Sequence, residues 1–152
     1  MSRSFGPVRQ AIIGIWALVV LSGCGGIAGP TALDKAQATA SRLEDEWGVE
    51  VLGIRRIAAG YMLDFRFRVL DAEKAAPILD RRIPAHVKVT ETGTRLLVPQ
   101  APKLGSMRQT TFDVKTDRNY FIVFANPSQT VRVGDEVSVV VGDFQTGDMT
   151  VQ

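Results

Sequence analysis

Nine consecutive residues alternate so regularly that only one backbone period suits them. Tyr61, Leu63, Phe65, Phe67 and Val69 are apolar, and Asp64, Arg66 and Arg68 stand between them. Successive strand side chains point to opposite faces, so this pattern sets five apolar groups on a core and three charged ones on the other side. A helix would scatter the same residues around its axis. Ala58-Ala59-Gly60 in front of the run is a turn signal, and folding back through it predicts a partner strand over residues 49–57.

The same period returns downstream. Ala85, Val87 and Val89 alternate with His86, Lys88 and Thr90, residues 91–94 (Glu-Thr-Gly-Thr) form a turn, and residues 95–98 return as the second arm of a hairpin. Residues 99–104 contain two prolines and predict a crossover loop. A weaker strand is expected over residues 107–114, a fully apolar one over 119–125, another over 136–141 after the Gly134-Asp135 turn, and an edge strand over 148–152. Asp71 to Ala76 predict a short helical turn that Pro77 limits without abolishing. Seven or eight short antiparallel strands within residues 48–152 point to a mainly β domain, an immunoglobulin-like β-sandwich, with a small barrel as the open alternative. The chain's lone cysteine rules out the immunoglobulin disulfide, so that likeness is one of architecture.

Ahead of the domain lies one N-terminal helix, residues 31–47. Thr31 is placed as N-cap with Asp34 three residues on, and Leu33, Ala36, Ala40, Leu43 and Trp47 recur at helical spacing until Gly48 stops the pattern. Two heptads are too few for a coiled coil, so the stripe is expected to dock on the β domain. Glu44, Asp45 and Glu46 crowd the last turn against the helix dipole and read as a solvated acidic corner.

The remaining N-terminal residues carry a different signal. Arg3 and Arg9 precede an uncharged apolar run, residues 11–21, which ends at Ser22, Gly23 and Cys24. A membrane-spanning helix needs about 20 apolar residues, and a run half that long with a small-residue junction has the form of a secretory signal. Leu21-Ser22-Gly23-Cys24 resembles the lipobox of bacterial lipoproteins. The resemblance implies a signal peptide over residues 1–23, cleavage between Gly23 and Cys24, acylation of Cys24, and a membrane-held product. Attachment at the cell envelope, facing the periplasm, follows, and Gly25 in place of an aspartate favours the outer membrane over the inner. Residues 24–30, rich in glycine, read as a flexible spacer.

With residues 1–23 set apart, a net charge of +2 falls to balance, because both of their charges are arginines. A neutral domain gives no footprint for nucleic acid. Metal ligation needs several convergent donors, whereas His86 is the only histidine, Cys24 is assigned to lipid, and Met62, Met107 and Met149 fall in different strands. No metal site or cofactor is expected. Catalytic motifs are equally missing, with no Gly-x-Ser-x-Gly, phosphate loop or His-Glu-x-x-His, so no catalytic residue is assigned. The one concentration of charge is Arg66, Arg68, Arg81 and Arg82, which reads either as a solvated sheet face or as a surface for an acidic partner, anionic lipid headgroups or glycan.

Residues 46–80 are similar to small lipoproteins of Gram-negative bacteria, a likeness that implies an address and no activity. The expected function is a non-catalytic binding or assembly module for an envelope protein, held to the membrane through Cys24. The alternative is a small-molecule or metal-ion binding accessory to transport or redox processes, with an envelope hydrolase a distant third.

Overall fold

A computed structural model describes residues 31–102 and 105–152. The expected signal segment 1–23, the spacer 24–30, and with them Gly23 and Cys24, lie outside the described residues. In chain order the elements are α1 (Ala32–Trp47), β1 (Val49–Ile57), β2 (Met62–Val69), α2 (Ala72–Leu79), β3 (Ala85–Val89), β4 (Arg95–Leu97), β5 (Gln100–Ala101), β6 (Gly105–Ser106), β7 (Arg118–Ala125), β8 (Glu136–Val141), β9 (Phe144–Gln145) and β10 (Met149–Thr150).

Helix α1 starts and stops on the residues expected to do so. The Thr31 hydroxyl accepts from the Asp34 amide at 3.2 Å, and the Asp34 carboxylate accepts in return from the Thr31 amide at 2.9 Å, a complete capping box. Gly48 ends the helix at φ 60°, where a Cβ would stand 2.5 Å from that of Asp71. Its carbonyl accepts from the Leu70 and Asp71 amides, which ties the helix end to the end of β2. The apolar stripe docks only in its second half. Leu43 is buried and Trp47 packs edge-on against Phe144 at 5.6 Å, whereas Leu33 is 76% exposed and Ala36 and Ala40 stand exposed over a cleft. Alanine side chains are too short to close on Val51 and Met149, and this cleft of about 530 Å³ is left beneath the first turns.

The β1–β2 hairpin forms as its alternation predicts, with Leu63, Phe65, Phe67 and Val69 all buried. Tyr61 is the exception. It belongs to the turn and is 56% exposed. β7 pairs with the other side of β2, and Phe67 stacks between Phe65 at 5.7 Å and Tyr120 at 6.0 Å on the core face of this three-stranded sheet. A second sheet runs in the order β10-β8-β3-β4 with β9 also on β8, and every pairing among the described residues is antiparallel. Both sheets, α2 and the end of α1 share one apolar core.

Backbone hydrogen bonds join the two sheets along both sides. On one, the Gln152 amide donates to Ile54 and its carbonyl accepts from Arg56, while Val151 bonds to Asp135 and Gly134 beside β8. On the other, residues 107–109 bond to β7 through Val123→Met107 and Gln109→Phe121, and Met107 donates to Pro99 beyond β4. The expected strand over 107–114 is therefore reduced to these few residues, because the polar pair Thr110-Thr111 ends the pairing and Phe112 turns outward. The expected loop over 99–104 contains β5, which pairs with β6 just after it. The expected edge strand 148–152 reaches across from one sheet to the other.

The strands define two ends. Where α1 passes into β1, the chain also places α2, the start of β3, the end of β8 and residues 110–117, whose Asp117 amide donates to Val69. The opposite end holds residues 57–62, 90–94 and 126–135 and the beginning of α1, whose Ala32 and Lys35 stand over the cleft with Glu136 and Asp148.

Candidate binding groove

Helix α2 is capped at its start by Asp71, whose carboxylate accepts from the Glu73 and Lys74 amides at 3.0 and 3.2 Å. Pro77 sits inside the helix, which nonetheless runs two turns and ends at Leu79, three residues past the expected Ala76. Its last turn has no basic residue to meet the free carbonyls. Arg108 supplies that group from 30 positions away, donating to Ile78 at 2.5 Å and to Ile83 at 2.6 Å. The residue is 8% exposed, and burial pulls its proton affinity below the ordinary arginine value, with the Asp80 charge partly opposing.

Arg108 thereby fixes the 80–83 turn against α2, and a groove of about 410 Å³ opens beside it. Ala76, Pro77, Ile83 and Val114 give it apolar walls, and Phe112 forms the lip at 94% exposure. The loop carrying Phe112 is shaped by Thr111, whose hydroxyl accepts from the Asp113 amide at 3.1 Å. Across from it, Asp80 accepts from the Arg82 side chain at 2.6 Å and from the Arg82 amide at 2.9 Å. These hydrogen bonds hold the Asp80 carboxyl at about 2. With its charge fixed and both oxygens occupied, Asp80 is a poor proton acceptor at neutral pH. A smaller extension brings in Arg81, which has no ion pair among the described residues. Apolar walls, an exposed aromatic lip and one uncommitted guanidinium are equipment for binding.

The four arginines singled out from the sequence fall into two pairs. Arg81 and Arg82 border the groove, while Arg66 and Arg68 lie on the outer face of β2 and are engaged there. Arg66 reaches Asp64 at 2.8 Å, and Arg68 reaches Glu50 at 3.4 Å and Asn119 at 3.3 Å. Asp64, expected on a solvated face, is 4% exposed because Arg55 and Arg66 close over it from both sides. His86 is half-buried opposite Leu97 and Val140, and desolvation, then the nearby Arg95 charge, lowers its pKa.

Compared with known proteins, the chain matches no family model, no curated protein and no solved structure. Its function has to be read from its own geometry.

Among the described residues, no three His, Cys, Asp or Glu side chains come together as a metal site, and no helix is long and apolar enough to cross a membrane. Reading the sequence missed Arg108 and Phe112. A buried arginine has no local signature, whereas Phe112 among polar neighbours in Thr-Thr-Phe-Asp broke the alternation and was the available hint.

Proposed function

We propose that this chain is a lipoprotein of the bacterial cell envelope whose β domain is a non-catalytic binding or assembly module for another envelope protein. Its address rests on Leu21-Ser22-Gly23-Cys24, with acyl chains on Cys24 holding it to a membrane, the outer one by preference, and the domain facing the periplasm. Two or more acyl chains give stable attachment where one gives marginal binding. The observation that carries the role is the groove's position. It opens at the end of the strands opposite the start of α1, so a tether leaving from Thr31 holds the domain with Phe112 pointing away from the bilayer.

Strand addition has little room here, because Gln152 and residues 107–109 already bond to the edges of β1 and β7, and β4 offers an edge of only three residues. The arginines of β2 are committed to Asp64 and Glu50. That leaves the groove, where Phe112 and Arg81 present the uncommitted groups. For the architecture, two antiparallel sheets on one core support the immunoglobulin-like sandwich, and the hydrogen bonds along both seams support a small barrel more strongly. A second functional reading, a small-molecule carrier, is supported by the groove volume of about 410 Å³, which is in the range of small-ligand sites.

Copurification from membranes in mild detergent tests the module reading. A stoichiometric protein should accompany the native chain and be lost with Phe112→Asp and with Arg81→Glu, both surface changes that leave stability unaltered. Retention in both, with loss only on charge reversal of Arg66 and Arg68, would transfer the site to the sheet face. Mass spectrometry of the same material should find diacylglyceryl on Cys24.

A further inference from the structure

The two turns at the end opposite the groove share three properties. Residues 57–62 (Ile-Ala-Ala-Gly-Tyr-Met) and 126–131 (Asn-Pro-Ser-Gln-Thr-Val) hold no charged side chain in a chain that is 22% charged. Their tips are exposed, with Ala58, Ala59, Pro127 and Ser128 outward and Tyr61 56% exposed. Their backbones are strained, since Ala58, Ala59, Ser128 and Gln129 all have φ between 50° and 56°, a region that costs a residue with a Cβ about 1–2 kcal/mol.

The turns form one surface. Asn126, fully buried, donates its amide N–H to Tyr61 and its side-chain N–H to both Gly60 and Val131 at 2.8 Å, and Arg56 reaches Gln129 at 3.1 Å. The next turn adds Val133, 64% exposed, and Glu136 beyond it lines the cleft beneath Ala32 at the start of α1. Leu33, 76% exposed, stands at that start. The charged side chains of this end, among them Glu91, Arg132 and Asp135, belong to the neighbouring turns.

We propose that these two uncharged turns rest on the phospholipid surface to which Cys24 is tethered. The inference builds on the lipoprotein reading. Six residues lie between Cys24 and Thr31, a span of seven residue steps that at full extension is about 25 Å, so the end where α1 begins is the one the tether holds at the bilayer. Tyrosine with an apolar ring and a polar hydroxyl suits the headgroup boundary, and small uncharged tips enter it without desolvating an ion. The strained turns hold those tips outward. The contact orients the groove toward the periplasm.

The test couples the chain beginning at Cys24, through its only thiol, to maleimide-bearing lipid in vesicles of phosphatidylethanolamine and phosphatidylglycerol. Tryptophan is placed in turn at Tyr61, Val133 and Phe112, all exposed positions, over the constant background of Trp47. With brominated phospholipid in the vesicles, Tyr61→Trp and Val133→Trp should lose most of their added emission and shift to the blue, and Phe112→Trp should keep its own. Equal quenching at all three positions, quenching at none, or quenching confined to Phe112→Trp would each overturn the proposal. Chemical coupling makes this independent of natural acylation, so a bare Cys24 in native material would sink the lipoprotein reading without touching the quenching result.

Discussion

At the residue scale, the polar groups that matter most are those the chain hides. Asp64 accepts three N–H donors from Arg55 and Arg66 while almost excluded from water. Asp64→Asn keeps the shape and removes the charge, and a loss of about 1–2 kcal/mol is expected by urea denaturation, a hydrogen-bonded charge discounted for its half-exposed partners. His86 offers a sharper test because it is the only histidine. Its pKa in the fold lies below the ordinary 6.5, so the unfolded chain takes up the proton first. Its contribution to stability is therefore complete above that value and is lost as the pH falls through it toward the folded pKa. Urea midpoints should drop on going from mildly alkaline to mildly acidic buffer, and His86→Gln should flatten the drop. Alternation in the sequence placed both residues on the right strands. It could not show that guanidinium groups would fold over Asp64 or that Leu97 and Val140 would flank His86, since both depend on register between strands distant in sequence.

At the element scale, what was legible was whatever repeats over five residues or more, or returns through a turn signal. The capping box and stripe of α1, the β1–β2 hairpin, β3 with β4, and the apolar runs of β7 and β8 all stand where periodicity and turn residues put them. β5, β6 and β9 are two residues long, too short to display a period, although Gly142-Asp143 ahead of β9 was a usable hairpin signal. Two predictions belong here. Thr31→Ala removes the cap of α1, at a local cost of about 1 kcal/mol. Because the first turns are undocked, amides of residues 32–36 should exchange faster while the global urea midpoint barely moves. Arg108→Leu orphans the carbonyls of Ile78 and Ile83 and should lower global stability by about 2–3 kcal/mol. Arg108→Lys should recover only part of that, since a single ammonium does not span two carbonyls as a planar guanidinium does. The same change should loosen the groove, which shares the 80–83 turn.

At the scale of the whole molecule, the open question for the sequence was whether two sheets face one another with free edges or join into a ring. No local pattern decides this, because the bonds that join them run between Gln152 and β1, nearly a hundred residues apart, and between residues 107–109 and β7. The two architectures differ in how the seam opens. At a free sheet edge the Arg56 amide would fray locally and exchange at a rate insensitive to the core. If the seam is part of one cooperative ring, that amide exchanges only when the domain unfolds. Val151 is the residue that couples the two possibilities, being 1% exposed in the core while its neighbour Gln152 carries the seam bonds. Val151→Ala deletes two buried methyl groups and should cost about 2 kcal/mol. In a joined ring the Arg56 amide should exchange faster by the full equivalent of that loss, about thirtyfold at 1.4 kcal/mol per factor of ten, in step with the amides of Phe65 and Phe67. Exchange at Arg56 that is fast already, and unmoved by the substitution, would mark the seam as a loose edge and return the fold to an open sandwich.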